Sequence, residues 1–142
     1  MSVMKATVKW VDDMTFMGRS ESGHNVVFDA KDSPDAPTPM EMVLMSTGCC
    51  SSVDVVSILQ KQRHNVADCQ VEISAERAET VPKVFNKIHL HFVVTGEDLS
   101  DKHVERAVGL SADKYCSVAL MLGASVEVTH SHEVKDTAAV EA

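Results

Sequence analysis

Four cysteines supply the most reactive side chains of this 142-residue sequence. Cys49 and Cys50 lie in the middle of a long, mostly apolar segment, and Cys116 lies in a second helical segment late in the chain. Two thiols on separate helices are either core residues or a redox pair that attacks an oxidant and then forms a disulfide. A structural zinc site is not expected, because the cysteines, Cys69 included, lack the tight spacings that such sites use.

Helical spacing places the two adjacent cysteines on different stripes of the long segment. Cys49 lies on a wholly apolar stripe, so we expect it to fill the core, whereas Cys50 lies on a largely polar stripe that indicates a cleft. The apolar stripe contains Met42, Met45, Val53 and Val56, and the polar one contains Thr47, Asp54, Ser57 and Lys61. Cys50 is the better candidate nucleophile, with a structural thiol as the alternative from pattern alone. Cys116 has small and apolar neighbours, which by themselves are typical of a core residue.

Few groups in the sequence could activate the Cys50 thiol. Asp54 follows one turn later, and a carboxylate there would raise the thiol pKa unless a cation intervenes. Glu41 lies half a turn away from Cys50 on an ideal helix, and a capping box with Thr38 already accounts for a glutamate at this position. Catalysis by Glu41 therefore requires a helix that is distorted near Gly48. The candidate cations are Arg19, Arg63 and Arg77.

Two histidine pairs could bind a metal. His89 with His91, and His130 with His132, are each spaced to place two imidazoles on one face of a strand. A histidine on the surface of a strand is more often a plain surface residue than a metal ligand, so we expect neither a metal nor a cofactor. His130 and His132 share the parity of the apolar residues in their strand, which predicts either a bulge or a strand end that reaches the cleft.

The order of elements predicts an α+β fold in which antiparallel sheet packs on helices. Thr38 caps a helix that begins at Pro39 and runs to about Arg63. A helix from Ser100 or Asp101 to Val108 precedes a second one, capped by Ser111, that contains Cys116 and ends at Gly123. Strands are expected over 5–12, 15–18, 25–30, 69–77, 86–95 and 124–134, with 69–77 and 86–95 as an antiparallel hairpin.

We expect one domain over residues 1–142. It comprises N-terminal strands and a loop (1–37), a long helix (38–63), strands with the second cysteine helix (68–134), and a tail (135–142). Because the long helix is apolar over most of its circumference and a sheet covers only one side, the other side requires a second protomer. A homodimer follows, and Trp10 is expected in the core.

Charge and hydropathy exclude several classes of partner. A net charge of −8 and a pI near 5.2 disfavour nucleic acid. The sequence has no unbroken apolar run of the roughly 18 residues that a membrane span needs, so no membrane partner is expected. The N-terminus alternates like a strand and not like a signal peptide. We therefore expect a cytoplasmic protein with reduced thiols.

The segments 37–50 (PTPMEMVLMSTGCC) and 114–117 (KYCS), supported by 55–61 (VVSILQK) and 117–122 (SVALML), carry a family resemblance. The chain resembles the OsmC/Ohr superfamily of osmotically inducible and organic hydroperoxide resistance proteins over nearly its whole length. The resemblance implies an intertwined homodimer in which sheets from both chains wrap two long central helices. It also implies a site at the dimer interface.

The family's chemistry implies a role for each thiol. The family's first cysteine, matched by Cys50, becomes a sulfenic acid, and the second, matched by Cys116, condenses with it to a disulfide. A dithiol such as a lipoyl protein or a small thiol then reduces the disulfide. The family's arginine is matched loosely by Arg19, and its glutamate falls on Met40, next to Glu41. We expect a thiol peroxidase that reduces organic hydroperoxides in oxidative-stress defence, or alternatively a non-catalytic dimer that senses redox state or binds a small ligand.

Overall fold

The computed structural model describes residues 2–137. It contains six strands, three α-helices and one π-helical turn, in an order that agrees with the sequence. The elements are β1 (Ala6–Asp12), β2 (Thr15–Ser20), β3 (Asn25–Asp29), α1 (Pro39–Lys61), β4 (Asn65–Arg77), β5 (Phe85–Glu97), α2 (Asp101–Leu110), the π-turn (Ser111–Tyr115), α3 (Ser117–Leu122) and β6 (Glu127–Asp136). Two compact units meet in sequence at Leu44 and Met45, inside α1.

The first unit is an antiparallel meander in which β2 lies between β1 and β3. Its sheet leaves large apolar side chains exposed, including Trp10, which is 63% exposed and donates its indole N–H to Asp13 O at 2.7 Å. The expectation that Trp10 fills the core is wrong for the single chain, because this three-stranded sheet is too small to bury both of its faces.

The second unit contains a mixed sheet of order β4, β5, β6. The β4–β5 hairpin is antiparallel as expected, and it includes a register shift between Val66 and Asp68. The expectation of wholly antiparallel sheets is wrong, because β6 pairs with β5 in parallel. A parallel neighbour requires a long crossover connection, and α2, the π-turn and α3 supply it.

Helix α1 begins where the sequence predicts. The Glu41 carboxylate accepts the Thr38 backbone N–H at 2.9 Å, and the Thr38 hydroxyl accepts the Glu41 N–H at 3.2 Å. This is the reciprocal capping box, with Pro39 at the first helical position. The helix ends at Lys61, and Arg63 follows with a positive φ of 62°.

The buried face of α1 differs from the predicted one. Its buried residues are Thr47, Gly48, Ser51, Val55 and Leu59. The stripe that contains Cys49 is instead exposed, with Met45 at 47% and Val53 at 62% exposure, so the prediction that Cys49 fills the core is wrong for the single chain. The cause is close packing, because a Cβ on Gly48 would lie 2.5 Å from Ile73 Cδ1. Small residues let α1 approach the sheet closely, and the large side chains therefore face away.

By length and composition alone, α1 could cross a membrane. Its mean hydropathy reaches 1.7 over an 18-residue window, although no unbroken apolar run of that length exists. Core helices of soluble proteins have the same composition, and the buried face of α1 carries the polar Thr47 and Ser51. Composition therefore does not identify α1 as a membrane span.

Candidate functional site

Cys50 and Cys116 meet inside the second unit of a single chain. Cys50 projects from α1 and is partly buried, while Cys116 is fully buried at 0% exposure. The two side chains lie close enough that Cys50 raises the pKa of the Cys116 thiol. The structure therefore brings together the two cysteines that the sequence singled out as a possible redox pair.

A break between helices positions Cys116. The π-turn ends with the Cys116 N–H bonded to Ser111 O at 2.8 Å, and Cys116 itself is extended, with φ −74° and ψ 100°. Its thiol then accepts the Ala119 N–H at 3.4 Å, so Cys116 is the N-cap of α3. The prediction that Cys116 lies within a helix capped by Ser111 is wrong, because the extra residue of the π-turn interrupts the helix at this point.

The two thiols differ in electrostatic environment. Burial raises the pKa of the Cys116 thiol. Hydrogen bonds from the Ser51 hydroxyl and the Ala119 amide oppose that rise in pKa, whereas the hydrogen bond to Cys50 and negative charge on Cys50 add to it. Together these effects favour the neutral thiol form of Cys116.

A buried serine pair connects this site to Asp54. Ser51 is 1% exposed and Ser111 is 0% exposed. The Ser111 hydroxyl lies 3.0 Å from Asp54 Oδ2 and 3.4 Å from Ser51 Oγ. The Asp54 carboxylate therefore accepts a hydrogen bond from the Ser111 hydroxyl, and it is not an isolated charge beside the thiols.

The other two cysteines are placed differently. Cys49 is exposed on the apolar stripe of α1. Cys69 is partly buried on β4, and burial raises the pKa of its thiol, an effect that a hydrogen bond from Ser52 opposes. Neither cysteine takes part in the contact between Cys50 and Cys116.

Glu41 and Arg19 belong to the first unit. Hydrogen bonds from Thr38, first from its amide, hold the pKa of the Glu41 carboxyl below its usual value, so the capping box accounts for this residue. Arg19 lies exposed on β2 and donates from Nη1 to Asn25 Oδ1 at 3.1 Å. Of the other candidate cations, Arg77 donates from Nε to Lys83 O at 2.8 Å.

The histidines of β5 face outward as predicted and form a continuous hydrogen-bonded row with β6. Its bonds join His89 Nδ1 to Thr129 at 2.6 Å, His89 Nε2 to Ser131 at 2.8 Å, His91 Nδ1 to Ser131 at 2.6 Å, and His91 Nε2 to Glu133 at 3.0 Å. Because the Glu133 carboxylate can only accept a hydrogen bond, His91 donates from Nε2. One tautomer of each imidazole then satisfies all four hydrogen bonds of the row. Over residues 2–137 no group of three potential ligands is arranged to hold a metal ion.

A cavity of about 550 Å³ adjoins the thiol site and shares Ser51 and Ala119 with it. Leu90, Phe92 and Val126 supply apolar walls. His130 also lines this cavity, and the β5–β6 register is continuous through it. Of the two predicted outcomes for this strand end, a bulge or a position that reaches the cleft, the structure therefore has the second. His132 instead bonds through Nε2 to Asp101 Oδ1 at 3.0 Å.

Ser51 and Ser111 are the site residues that the sequence did not reveal. The only signal for Ser51 was a polar residue directly after Cys50 in a mostly apolar helix. Ser111 was predicted as a helix cap, which is the commonest role of a serine at such a position.

Comparisons with known proteins find relatives along almost the whole chain. A family model described as OsmC-like protein matches residues 30–131. Protein YhfA of Escherichia coli K12 is 58% identical over 131 residues, which cover 92% of this chain and 98% of that protein. A hypothetical protein from Aquifex aeolicus VF5 has a crystal structure that is 33% identical, with a TM-score of 0.87, covering 96% of this chain and 98% of that one.

The fold also occurs in an organic hydroperoxide resistance protein OsmC from Legionella pneumophila. That structure is 16% identical, with a TM-score of 0.71, and the match covers 94% of this chain and 98% of the other. At this identity the likeness concerns the fold alone. The mixed arrangement of two small sheets with helices is thus shared with OsmC and Ohr proteins.

Proposed function

The chain belongs to the OsmC-like protein family, and on that basis we propose that it is a cytoplasmic thiol-dependent peroxidase that reduces organic hydroperoxides in oxidative-stress defence. One observation carries the proposal, namely the contact between the Cys50 and Cys116 thiols within one chain. A structural pair of core thiols would not require one partly buried member beside one fully buried member.

The first step is the attack of the Cys50 thiolate on the O–O bond of the hydroperoxide. The sulfur takes the terminal oxygen and becomes a sulfenic acid, and the O–O electron pair leaves with the alkoxide, which is protonated to the alcohol. Cys50 suits this role because it is partly exposed, whereas Cys116 is buried and its pKa is raised.

The second step is resolution by Cys116. Its sulfur attacks the Cys50 sulfenic acid, the S–O bond breaks, and the products are a Cys50–Cys116 disulfide and water. A dithiol, such as a lipoyl protein or a small thiol, then restores both thiols by two successive exchanges. The proximity of the two side chains supports direct condensation.

The partly apolar cavity beside the site supports an organic peroxide over hydrogen peroxide. Leu90, Phe92 and Val126 would favour the hydrocarbon part of such a substrate. The hydroperoxide resistance named for the Legionella relative supports the same substrate class.

We further propose that the protein acts as a homodimer and that Arg19 supports the thiolate. Exposed apolar side chains on α1, Met45 and Val53 among them, form a stripe that a second copy would cover. For Arg19, the support is the match of Gly18 and Arg19 to the arginine of the family. The capping box occupies Glu41, so we give it no step in the reaction.

A redox sensor or ligand-binding dimer is the second candidate. The observation that favours it is the same capping box, because the glutamate nearest the family's activating position is already bonded to Thr38. Such a protein would keep the thiol pair but would lack rapid turnover.

Steady-state consumption of cumene hydroperoxide with dihydrolipoamide as reductant separates the two functions. The peroxidase predicts many turnovers that are lost in Cys50→Ser, strongly slowed in Arg19→Ala, and retained in Cys49→Ser. A single equivalent consumed, followed by no turnover, would instead support the sensor.

A further inference from the structure

A serine on the outer face of the β4–β5–β6 sheet lies between two imidazoles. The Ser131 hydroxyl on β6 is 2.6 Å from His91 Nδ1 and 2.8 Å from His89 Nε2, and both histidines belong to β5. The second nitrogen of His91, Nε2, lies 3.0 Å from Glu133 Oε1. The second nitrogen of His89, Nδ1, lies 2.6 Å from the Thr129 hydroxyl. A serine, a histidine and a carboxylate are therefore hydrogen-bonded in series.

The carboxylate at the end of this series determines where the protons lie. Because Glu133 only accepts, neutral His91 carries its proton on Nε2, and its Nδ1 accepts the proton of Ser131. The Ser131 oxygen, which has donated its single proton, then accepts the Nε2 proton of His89. The Thr129 hydroxyl donates to His89 Nδ1 and so holds that tautomer. The Ser131 hydroxyl thus directs its proton at a base, as a nucleophilic serine requires.

We propose that Ser131, His91 and Glu133 form a second catalytic site, at which Ser131 is the nucleophile in the hydrolysis of small carboxylic esters. His91 is the general base, and Glu133 is a positioning residue that holds the required tautomer and pairs with the imidazole once it is protonated. The two imidazole nitrogens are exchanged relative to the usual serine triad, but the order of proton transfer is the same. This activity goes beyond the proposed peroxidase and does not depend on it.

The reaction has two balanced halves. In the first, Ser131 Oγ bonds to the ester carbonyl carbon while its proton moves to His91 Nδ1. The carbon–oxygen bond to the alcohol breaks, and the departing alkoxide takes that proton from His91, which leaves an acyl ester on Ser131. In the second, water attacks the acyl carbon and gives a proton to His91. The bond to Ser131 then breaks, the serine oxygen regains its proton, and the carboxylic acid is released.

His89 is placed to stabilise the negative charge that develops on the carbonyl oxygen. Its Nε2–H lies 2.8 Å from Ser131 Oγ, so it is next to the atom that bonds to the substrate. When the Ser131 oxygen attacks, its lone pair enters the new bond, and the His89 N–H is freed to donate to the substrate oxygen. His89 therefore supplies the electrophilic part of the site.

A cleft of about 340 Å³ shares His89 and Thr129 with this row of hydrogen bonds. Its volume is near the lower limit of ligand pockets, which is roughly 300 Å³. The charged side chains of Glu76, Lys87 and Glu127 also line it, and they disfavour a long hydrocarbon chain. The cleft therefore suits an ester with a short acyl group.

Labelling of the full chain with a short alkyl fluorophosphonate tests whether Ser131 is a nucleophile. The probe bonds through phosphorus to an activated serine and releases fluoride, and peptide mass spectrometry locates the modification. Ser131 should be modified in the wild type and unmodified in His91→Ala. Ser74 is the internal control, because it is exposed on β4 and, within residues 2–137, no hydrogen bond joins it to a histidine. It should remain unmodified.

Hydrolysis of p-nitrophenyl acetate measures turnover, after N-ethylmaleimide has blocked the accessible thiols. Ser131→Ala and His91→Ala should each lower kcat/KM by about a hundredfold, a typical general-base contribution. Glu133→Asp should retain more activity than Glu133→Gln, although glutamine has the shape of glutamate, because the site requires the charge. A merely structural role would give the opposite order. Ser33→Ala, which removes an exposed hydroxyl from the loop after β3, should match the wild type.

The labelling of the wild-type protein does not depend on the folding of any variant. An unmodified Ser131 in the wild type would overturn the second catalytic site. Hydrolysis that is unchanged in Ser131→Ala, or a Glu133→Gln protein more active than Glu133→Asp, would do the same. None of these results would affect the peroxidase, because the site shares no residue with Cys50 and Cys116.

Discussion

Cys116 lies beside Cys50 in a fully buried position, whereas Cys50 itself is partly exposed. This asymmetry assigns different chemistry to two identical functional groups. The thiol that reaches solvent can meet a substrate, and the thiol that does not is shielded from direct oxidation. The π-turn creates the asymmetry, because it withdraws Cys116 from a regular helix and makes it the cap of α3.

Alkylation of the reduced protein should follow the same asymmetry. Burial and the neighbouring Cys50 raise the pKa of Cys116, so less of it is thiolate at neutral pH. Iodoacetamide should therefore modify Cys50 at least about tenfold faster than Cys116, as measured by peptide mass spectrometry over time. Denatured protein is the control, in which the two rates should converge. Equal rates in the folded protein would contradict the assignment.

Gly48→Ala should destabilise the fold. Its Cβ would lie 2.5 Å from Ile73 Cδ1, so α1 or β4 must shift, at a cost of about 1–3 kcal/mol in the free energy of unfolding. Gly109→Ala is the matched control in α2, because nothing lies within 4 Å of the place that its Cβ would take, and better helix propensity should add about 1 kcal/mol. Urea denaturation measures both, and a stable Gly48→Ala protein would show that the helix–sheet contact is looser.

Asp29 should make stability depend on acid pH. The Asp35 amide, followed by the Lys31 amide and ammonium, lowers the pKa of its carboxyl despite burial. A lowered folded pKa means that the unfolded chain binds the proton more readily, so this stabilisation is complete above the ordinary carboxyl pKa and is lost as the pH falls below it. Asp29→Asn should thus be less stable than wild type at pH 7, and the difference should shrink below about pH 4.

Thermal unfolding over a pH series gives the comparison for Asp29. Asp32→Asn is the control, because it removes an exposed carboxylate from the loop that follows β3, whereas Asp29 is buried at the end of that strand. A stability difference between wild type and Asp29→Asn that stays constant with pH would contradict the role of the charged carboxylate.

Val53→Asp should weaken self-association. Val53 is 62% exposed on the apolar stripe of α1, and a carboxylate there could not be buried against a second copy without a large desolvation cost. Sedimentation equilibrium should show a wild-type dimer and a mostly monomeric variant. Gln60→Asp, on an exposed polar position of the same helix, should remain dimeric. A wild-type monomer, or a Val53→Asp dimer of unchanged affinity, would refute the interface.

Local sequence signals predicted the elements well. The T-x-x-E pattern gave the start of α1 correctly, since the capping box depends only on residues within one turn. Strict alternation gave the β4–β5 hairpin and the outward faces of His89 and His91. Motifs near Cys50 and Cys116 gave the family, which the match over residues 30–131 confirms.

Non-local packing could not be predicted from the same signals. Because α1 is apolar almost all round, periodicity could not identify its buried face, and the contact between Gly48 and Ile73 decided it. Parallel pairing of β6 depends on how the crossover folds back, which strand patterns do not encode. The π-turn before Cys116 likewise has no sequence signature, so the buried contacts of Ser111 appeared only in the folded chain.

Peptide mapping after one equivalent of cumene hydroperoxide tests the central claim most directly. The reduced protein is mixed with the peroxide, remaining thiols are blocked with N-ethylmaleimide, and disulfide-linked peptides are quantified by mass spectrometry. The account predicts rapid, stoichiometric formation of the Cys50–Cys116 disulfide, unchanged in Cys49→Ser. Thiols that persist, or a Cys49–Cys50 product, would contradict it.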